Sequence, residues 1–208
     1  MYDSNISAAD LVSSVSEEAD ISLTIPSSAW VRIINETEQK LYTDIIKEIR
    51  TVSLVSPVSP MFLPDIIPPD AGENQCIFED IAKVYADGGK TELLKAGAIA
   101  EYATRKNIYW KDGGKLAFRL VGDVSSDSMM VLYYVRPALK TVSDGVISSD
   151  HIALPVEFVE MMASRLRAEA YKIANEDSLA AKWMNDYNSY LEEFKEWTAM
   201  HNDIYGER

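Results

Sequence analysis

The stretch closest to a reactive motif is Gly88-Gly89-Lys90-Thr91, which has the ending of a phosphate-binding loop. Such a loop needs a further glycine five residues before the second, so that backbone amides can cradle a phosphate. Val84 stands at that position, inside a β-rich run, so the glycines read as a reverse turn. His151 and His201 are the only histidines, and neither has a histidine or cysteine at metal-ligand spacing. Cys76 is the single cysteine, which excludes an internal disulfide and a cysteine metal cluster. No Gly-x-Ser-x-Gly elbow and no Asp-x-Asp-x-Asp-Gly calcium loop is present. Glu17-Glu18 and Glu192-Glu193 read as solvated faces, and Ser13-Ser14 and Ser125-Ser126 as caps and turns. No catalytic residue, cofactor or metal is expected, and no constellation fills the roles an enzyme needs.

Without a reactive centre, the chain is organised by its packing pattern. Leu154 to Trp197 carries two helical patterns back to back. Leu-Pro-Val-Glu opens the first: Pro155 loses nothing in a first turn, and Glu157 suits the positive end of the dipole. Phe158, Met162, Leu166, Ala170 and Ile173 then recur at helical spacing. Asn175 tolerates a left-handed stop, and Asp177 or Ser178 can cap the second helix. Leu179, Trp183, Tyr187, Tyr190, Leu191, Phe194 and Trp197 form one wide stripe along it. A break this short predicts an antiparallel pair with facing stripes. The stripe reads as core, or in part as a surface for another subunit.

From the N-terminus, Ser7 can cap a helix over 8–18, and Ile21 to Ile25 is a short apolar link. Ser27-Ser28 would cap a stronger helix running to about Arg50, with Trp30 as a core anchor. Residues 51–56 read as a strand. Residues 57–74 hold five prolines and scattered apolar side chains, which predicts a long loop that is neither helix nor inner strand. Its Met61, Phe62, Leu63, Ile66 and Ile67 either pack on their own domain or bind something else. A strand over 75–86, a helix over about 91–104, a hairpin around Asp112-Gly113-Gly114 and a strand over 128–136 come next. The expected fold is α+β and mainly α. Helix pairs at about 7–50 and 155–200 form a bundle around a small antiparallel β insertion (about 51–140), all in one domain, 1–208.

Apolar residues at 47% and charged residues at 25% describe an ordinary globular chain. No apolar run reaches a membrane span, and the N-terminus lacks the pattern of a signal peptide, so no membrane partner is expected and the chain should stay in the cytoplasm that makes it. The Asn35-Glu36-Thr37 sequon is then without consequence. The net charge of −13 argues against a protein that grips nucleic acid. It suits equally a soluble chain kept apart by its own charge and a surface that DNA slides past.

The helix beginning Trp30-Val-Arg-Ile-Ile-Asn-Glu-Thr-Glu, the inserted β module, the Leu-Pro-Val-Glu-Phe entry and the pair ending in Tyr187-Asn188-Ser189-Tyr190 resemble the head–tail connector (adaptor) proteins of tailed bacteriophages. The tail tubular or gatekeeper proteins of short-tailed phages are similar in plan. The proline-rich loop and the helix near 91–104 have no place in that pattern. The resemblance implies a structural virion protein of the neck, assembled in the host cytoplasm. It implies a homo-oligomeric ring, usually of twelve subunits, under the portal protein, extending the channel for genomic DNA and receiving tail or neck proteins. It also implies that the C-terminal segment, with Trp197, Met200, Ile204 and Tyr205, reaches the portal. The alternatives are another neck or tail-completion component, or an acidic host-directed binding protein.

Overall fold

The computed structural model describes residues 3–18, 25–67, 76–96 and 106–205; for 76 and 202–205 it describes the backbone alone. The link at 21–24, the end of the proline-rich stretch and most of the expected helix at 91–104 lie outside those residues. The chain divides into two units: described parts of Met1–Ile46 and Pro137–Arg208 make one, and of Lys47–Asp70 and Cys76–Arg136 the other.

The first unit is helical. α1 (Ala8–Glu18) opens as expected on Ser7, whose Oγ accepts the Asp10 N–H at 3.0 Å. α2 (Ser27–Leu41) begins at Ser27 itself, after Pro26 and without a side-chain cap. The Ser27 hydroxyl instead donates to the Gly145 carbonyl at 2.8 Å. α2 runs into a π-helical turn, Tyr42–Ile46, and stops well short of Arg50. Lys47 then turns left-handed (φ 49°). A β-hairpin, β8 (Val142–Ser143) and β9 (Val146–Ile147), precedes α4 (Val159–Ile173) and α5 (Asp177–Tyr205). Between these helices Asn175 takes φ 60°, Glu176 N–H reaches the Tyr171 carbonyl at 2.9 Å, and Asn175 N–H reaches that of Lys172 at 3.2 Å. This is the left-handed stop expected of Asn175, with two otherwise orphaned carbonyls paired. Ile34, Tyr42, Leu154, Met161, Leu166 and Phe194 are fully buried in the core of this unit.

The second unit corrects the expected architecture. The described residues are 46% helix and 29% strand, with five helices and a curled seven-stranded sheet in place of a small insertion in a mainly α bundle. Its strands are β1 (Ile49–Val55), β2 (Met61–Phe62), β3 (Cys76–Ala86), β4 (Thr91–Lys95), β5 (Ile108–Asp112), β6 (Lys115–Arg119) and β7 (Ser128–Pro137). They lie in the order β1-β7-β3-β4-β5-β6-β2. The sheet is mixed, because β4 and β5 are parallel.

Two misread stretches explain the shortfall. Residues 46–50 carry isoleucines at helical spacing, yet the left-handed Lys47 ends the helix and the alternation from Ile49 onward pairs with β7. Thr91 to Lys95 has the composition of a helix start, but the turn at Asp87–Gly89 folds it back on β3, pairing Ala86 with Thr91 and Val84 with Leu93. The same turn bears out the reading of Gly88-Gly89 as a reverse turn. The hairpin at Asp112-Gly113-Gly114 forms as expected: Gly113 (φ 53°) and Gly114 (φ 81°) both occupy the left-handed region that a two-residue loop demands. The proline-rich stretch is not all loop, since β2 pairs with β6 and the short helix α3 (Leu63–Ile66) comes directly after it.

Candidate interaction surfaces

In the helical unit, α2 holds the strap that leads from β7 to α4. Asn35 uses both ends of its amide on Lys140, donating to the carbonyl at 2.9 Å and accepting the N–H at 2.8 Å. Gln39 donates to the Pro137 carbonyl at 2.7 Å. Glu38 is fully buried: one carboxylate oxygen accepts the Ala153 N–H at 2.7 Å. The other lies 2.9 Å from Lys140 Nζ, close enough for an ion pair though off the line of an ideal hydrogen bond. Burial pushes the Glu38 carboxyl above the usual range, against the pull of Lys140 and the Ala153 N–H. The amide of Asn35 is thus a packing group.

A second buried charge sits at Arg167. Its guanidinium donates to Glu160 and to Glu18, at the end of α1, and lies 4.6 Å over the Trp183 ring. Burial opposes the cation, but the hydrogen bonds to both carboxylates raise its pKa. One side chain therefore ties α1, α4 and α5 together.

The aromatic stripe of α5 is only partly core. Phe194 and Thr198 are buried, whereas Trp183, Tyr187, Tyr190, Leu191 and Trp197 are half-buried and Leu179 is exposed. Burial raises the pKa of the Tyr187 hydroxyl. Phe158 meets Phe194 edge-on at 4.9 Å and Trp197 at 5.6 Å, and His201 stacks on Trp197 at 3.9 Å. This ladder pins α5 where α4 begins. α5 is roughly 43 Å long against roughly 22 Å for α4, so its last turns run on past the anchor. Met200 there is 66% exposed. Of the expected docking residues, Trp197 is therefore anchor and Met200 is surface, while Ile204 and Tyr205 continue the helix.

In the sheet unit the five residues of the proline-rich stretch separate. Leu63 and Ile67 are buried, Met61 and Ile66 are half-buried, and Phe62 is 55% exposed with Lys115 Nζ 4.7 Å over its ring. On the sheet, Lys111 and Lys95 reach Asp80 at 2.7 and 3.1 Å. Burial pushes the Asp80 carboxyl up, but these lysines outweigh it and leave the pKa lowered. Tyr109 is buried, and its hydroxyl is pushed up to about 12 by that burial and by Asp80 and Glu92.

Sequence reading missed the buried grips of Asn35, Glu38, Gln39 and Arg167. Polar residues at i, i+3 and i+4 on an otherwise apolar helix face, at 35, 38 and 39, were the available signal. No helix among the described residues is long and apolar enough to cross a membrane.

The family profile described as SU10 adaptor protein matches residues 6–205, nearly the whole chain. The chain belongs to the SU10 adaptor protein family. It is a structural adaptor of a bacteriophage virion, a class that is not enzymatic; the family places it at the neck, interacting with portal and tail proteins. No individually curated protein matches the chain.

Proposed function

We propose that residues 1–208 act as one connector subunit, and that copies form a ring of about twelve beneath the portal, extending the DNA channel. The family match carries this reading, and the overhanging end of α5 gives it a docking element. Trp197 fixes the direction of the helix, and Met200, Ile204 and Tyr205 meet the portal. Phe62, with Met61 and Ile66, faces a neighbour or the tail, while Leu63 and Ile67 hold that segment in place. Assembly takes place in the host cytoplasm.

Charge supports passage of DNA without grip. By sequence, residues 1–46, 71–75 and 137–208 hold 9 Lys and Arg against 22 Asp and Glu, whereas residues 47–70 and 76–136 hold 11 of each. All of the net charge of −13 therefore belongs to the helical unit. Such a surface repels the phosphate backbone. Deleting residues 202–208 is expected to leave the melting temperature within a few degrees and to abolish capture by immobilised portal protein. Undiminished capture would remove Ile204 and Tyr205 from the docking surface.

A further inference from the structure

Among the described methionines, Met200 stands apart. Met129, Met161 and Met162 are at most 1% exposed, and Met61, Met130 and Met184 are half-buried. The Met184 sulfur is also engaged, because Arg165 Nη1 donates to its Sδ at 3.7 Å. Met200 is 66% exposed, with no hydrogen bond to its sulfur among the described residues. A thioether is oxidised where an oxidant can reach it, so exposure sorts these side chains by reactivity.

Its place on α5 gives that reactivity a consequence. Thr198, next after Trp197, is buried, and His201 folds back on the Trp197 ring with Nδ1 2.8 Å from the Trp197 carbonyl. Ala199 and Met200 face solvent, and on the two turns before them the exposed side chains include Glu192, Glu193 and Glu196. Among the described side chains past Trp197, Met200 is therefore the large apolar group the helix offers to a partner. Its flexible, unbranched stem suits it to fill an irregular apolar cleft.

Resting on the reading that this end of α5 docks on the portal, we infer that Met200 is a redox-sensitive modification site whose oxidation by hydrogen peroxide switches docking off. The Sδ lone pair attacks one peroxide oxygen. An S–O bond forms, the O–O bond breaks, and the proton on the transferred oxygen passes to the other, which leaves as water. The thioether is oxidised to a sulfoxide and the peroxide is reduced. The product sets a strongly polar S–O group where the helix had its apolar contact, and burying that group against a partner without a hydrogen bond is unfavourable. The fold is indifferent to the change, because a side chain this exposed contributes little packing. Docking in turn covers the sulfur, so a subunit is vulnerable before assembly and protected after it. Methionine sulfoxide reductases reverse the step.

The test treats the full native chain and Met200→Leu, which keeps size and apolar character, with graded hydrogen peroxide. Oxidised sites are mapped by peptide mass spectrometry, and each sample is captured on immobilised portal protein. Untreated, the two chains are expected to be captured alike. Met200 should be oxidised at about one-fifth of the dose that Met129, Met161 or Met162 requires, or less. Full conversion of Met200 should weaken capture by about tenfold or more, leave the melting curve unchanged, and be undone by the two epimer-specific reductases. Met200→Leu at the same dose should be captured as before. Oxidation of Met200 no faster than of the buried methionines, native capture of the sulfoxide form, or equal loss in Met200→Leu would each overturn the switch and spare the docking reading. An untreated chain that portal fails to capture would overturn the docking reading itself.

Discussion

Glu38 shows what a single buried charge does here. It is fully buried, paired with Lys140 and bonded to the Ala153 N–H, so truncation strands the Lys140 ammonium inside the helical unit. Glu38→Ala is expected to cost about 3–5 kcal/mol in urea unfolding, and Glu38→Gln clearly less, because the amide still accepts the Ala153 N–H. Tyr109 sets an alkaline limit on the sheet unit. Its hydroxyl is pushed up to about 12, so the folded chain keeps a proton that the unfolded chain sheds near pH 10. Stability contributed by the neutral tyrosine is therefore present below about pH 10 and lost as pH rises toward about 12. Unfolding midpoints across that window should fall in the native protein and fall less in Tyr109→Phe. Neither role was legible in the sequence, where Glu38 looks like one more helix-surface acid and Tyr109 like one more strand aromatic.

At the scale of elements, the half-buried stripe of α5 divides anchors from lesser contacts. Phe194 is wholly enclosed, and Phe194→Ala is expected to cost about 3–5 kcal/mol. Trp183 is half-buried under Arg167, so Trp183→Ala should cost roughly half that in the same denaturant titration. The helix pair, its Asn175 stop and the Gly113-Gly114 hairpin were legible because each is written in adjacent residues: an apolar period, a left-handed Asn, two glycines at a two-residue turn. The extent of the sheet was not. β1 pairs with β7 and β2 with β6 across many intervening residues, and nothing local at Ile49 or Met61 names the partner. Thr91 to Lys95 was lost for the same reason, since its strand state comes from pairing with β3 and β5 rather than from propensity. The proline-rich stretch divides: Phe62 is exposed, whereas Leu63 and Ile67 belong to the core.

At the scale of the whole molecule, one unit carries the net charge and the other is neutral. In the proposed connector, the acidic surface would keep DNA moving while the neutral unit would meet neighbours. Because the acidic units of separate copies repel one another, the proposed ring is expected to gather on the portal rather than free in solution. Light scattering on the purified chain at two concentrations, alone and with the portal protein, tests the connector function most directly. The expected result is a small species at both concentrations that becomes one large, defined complex only when portal is present. A stable oligomer indifferent to portal, or a chain that ignores portal altogether, would contradict it.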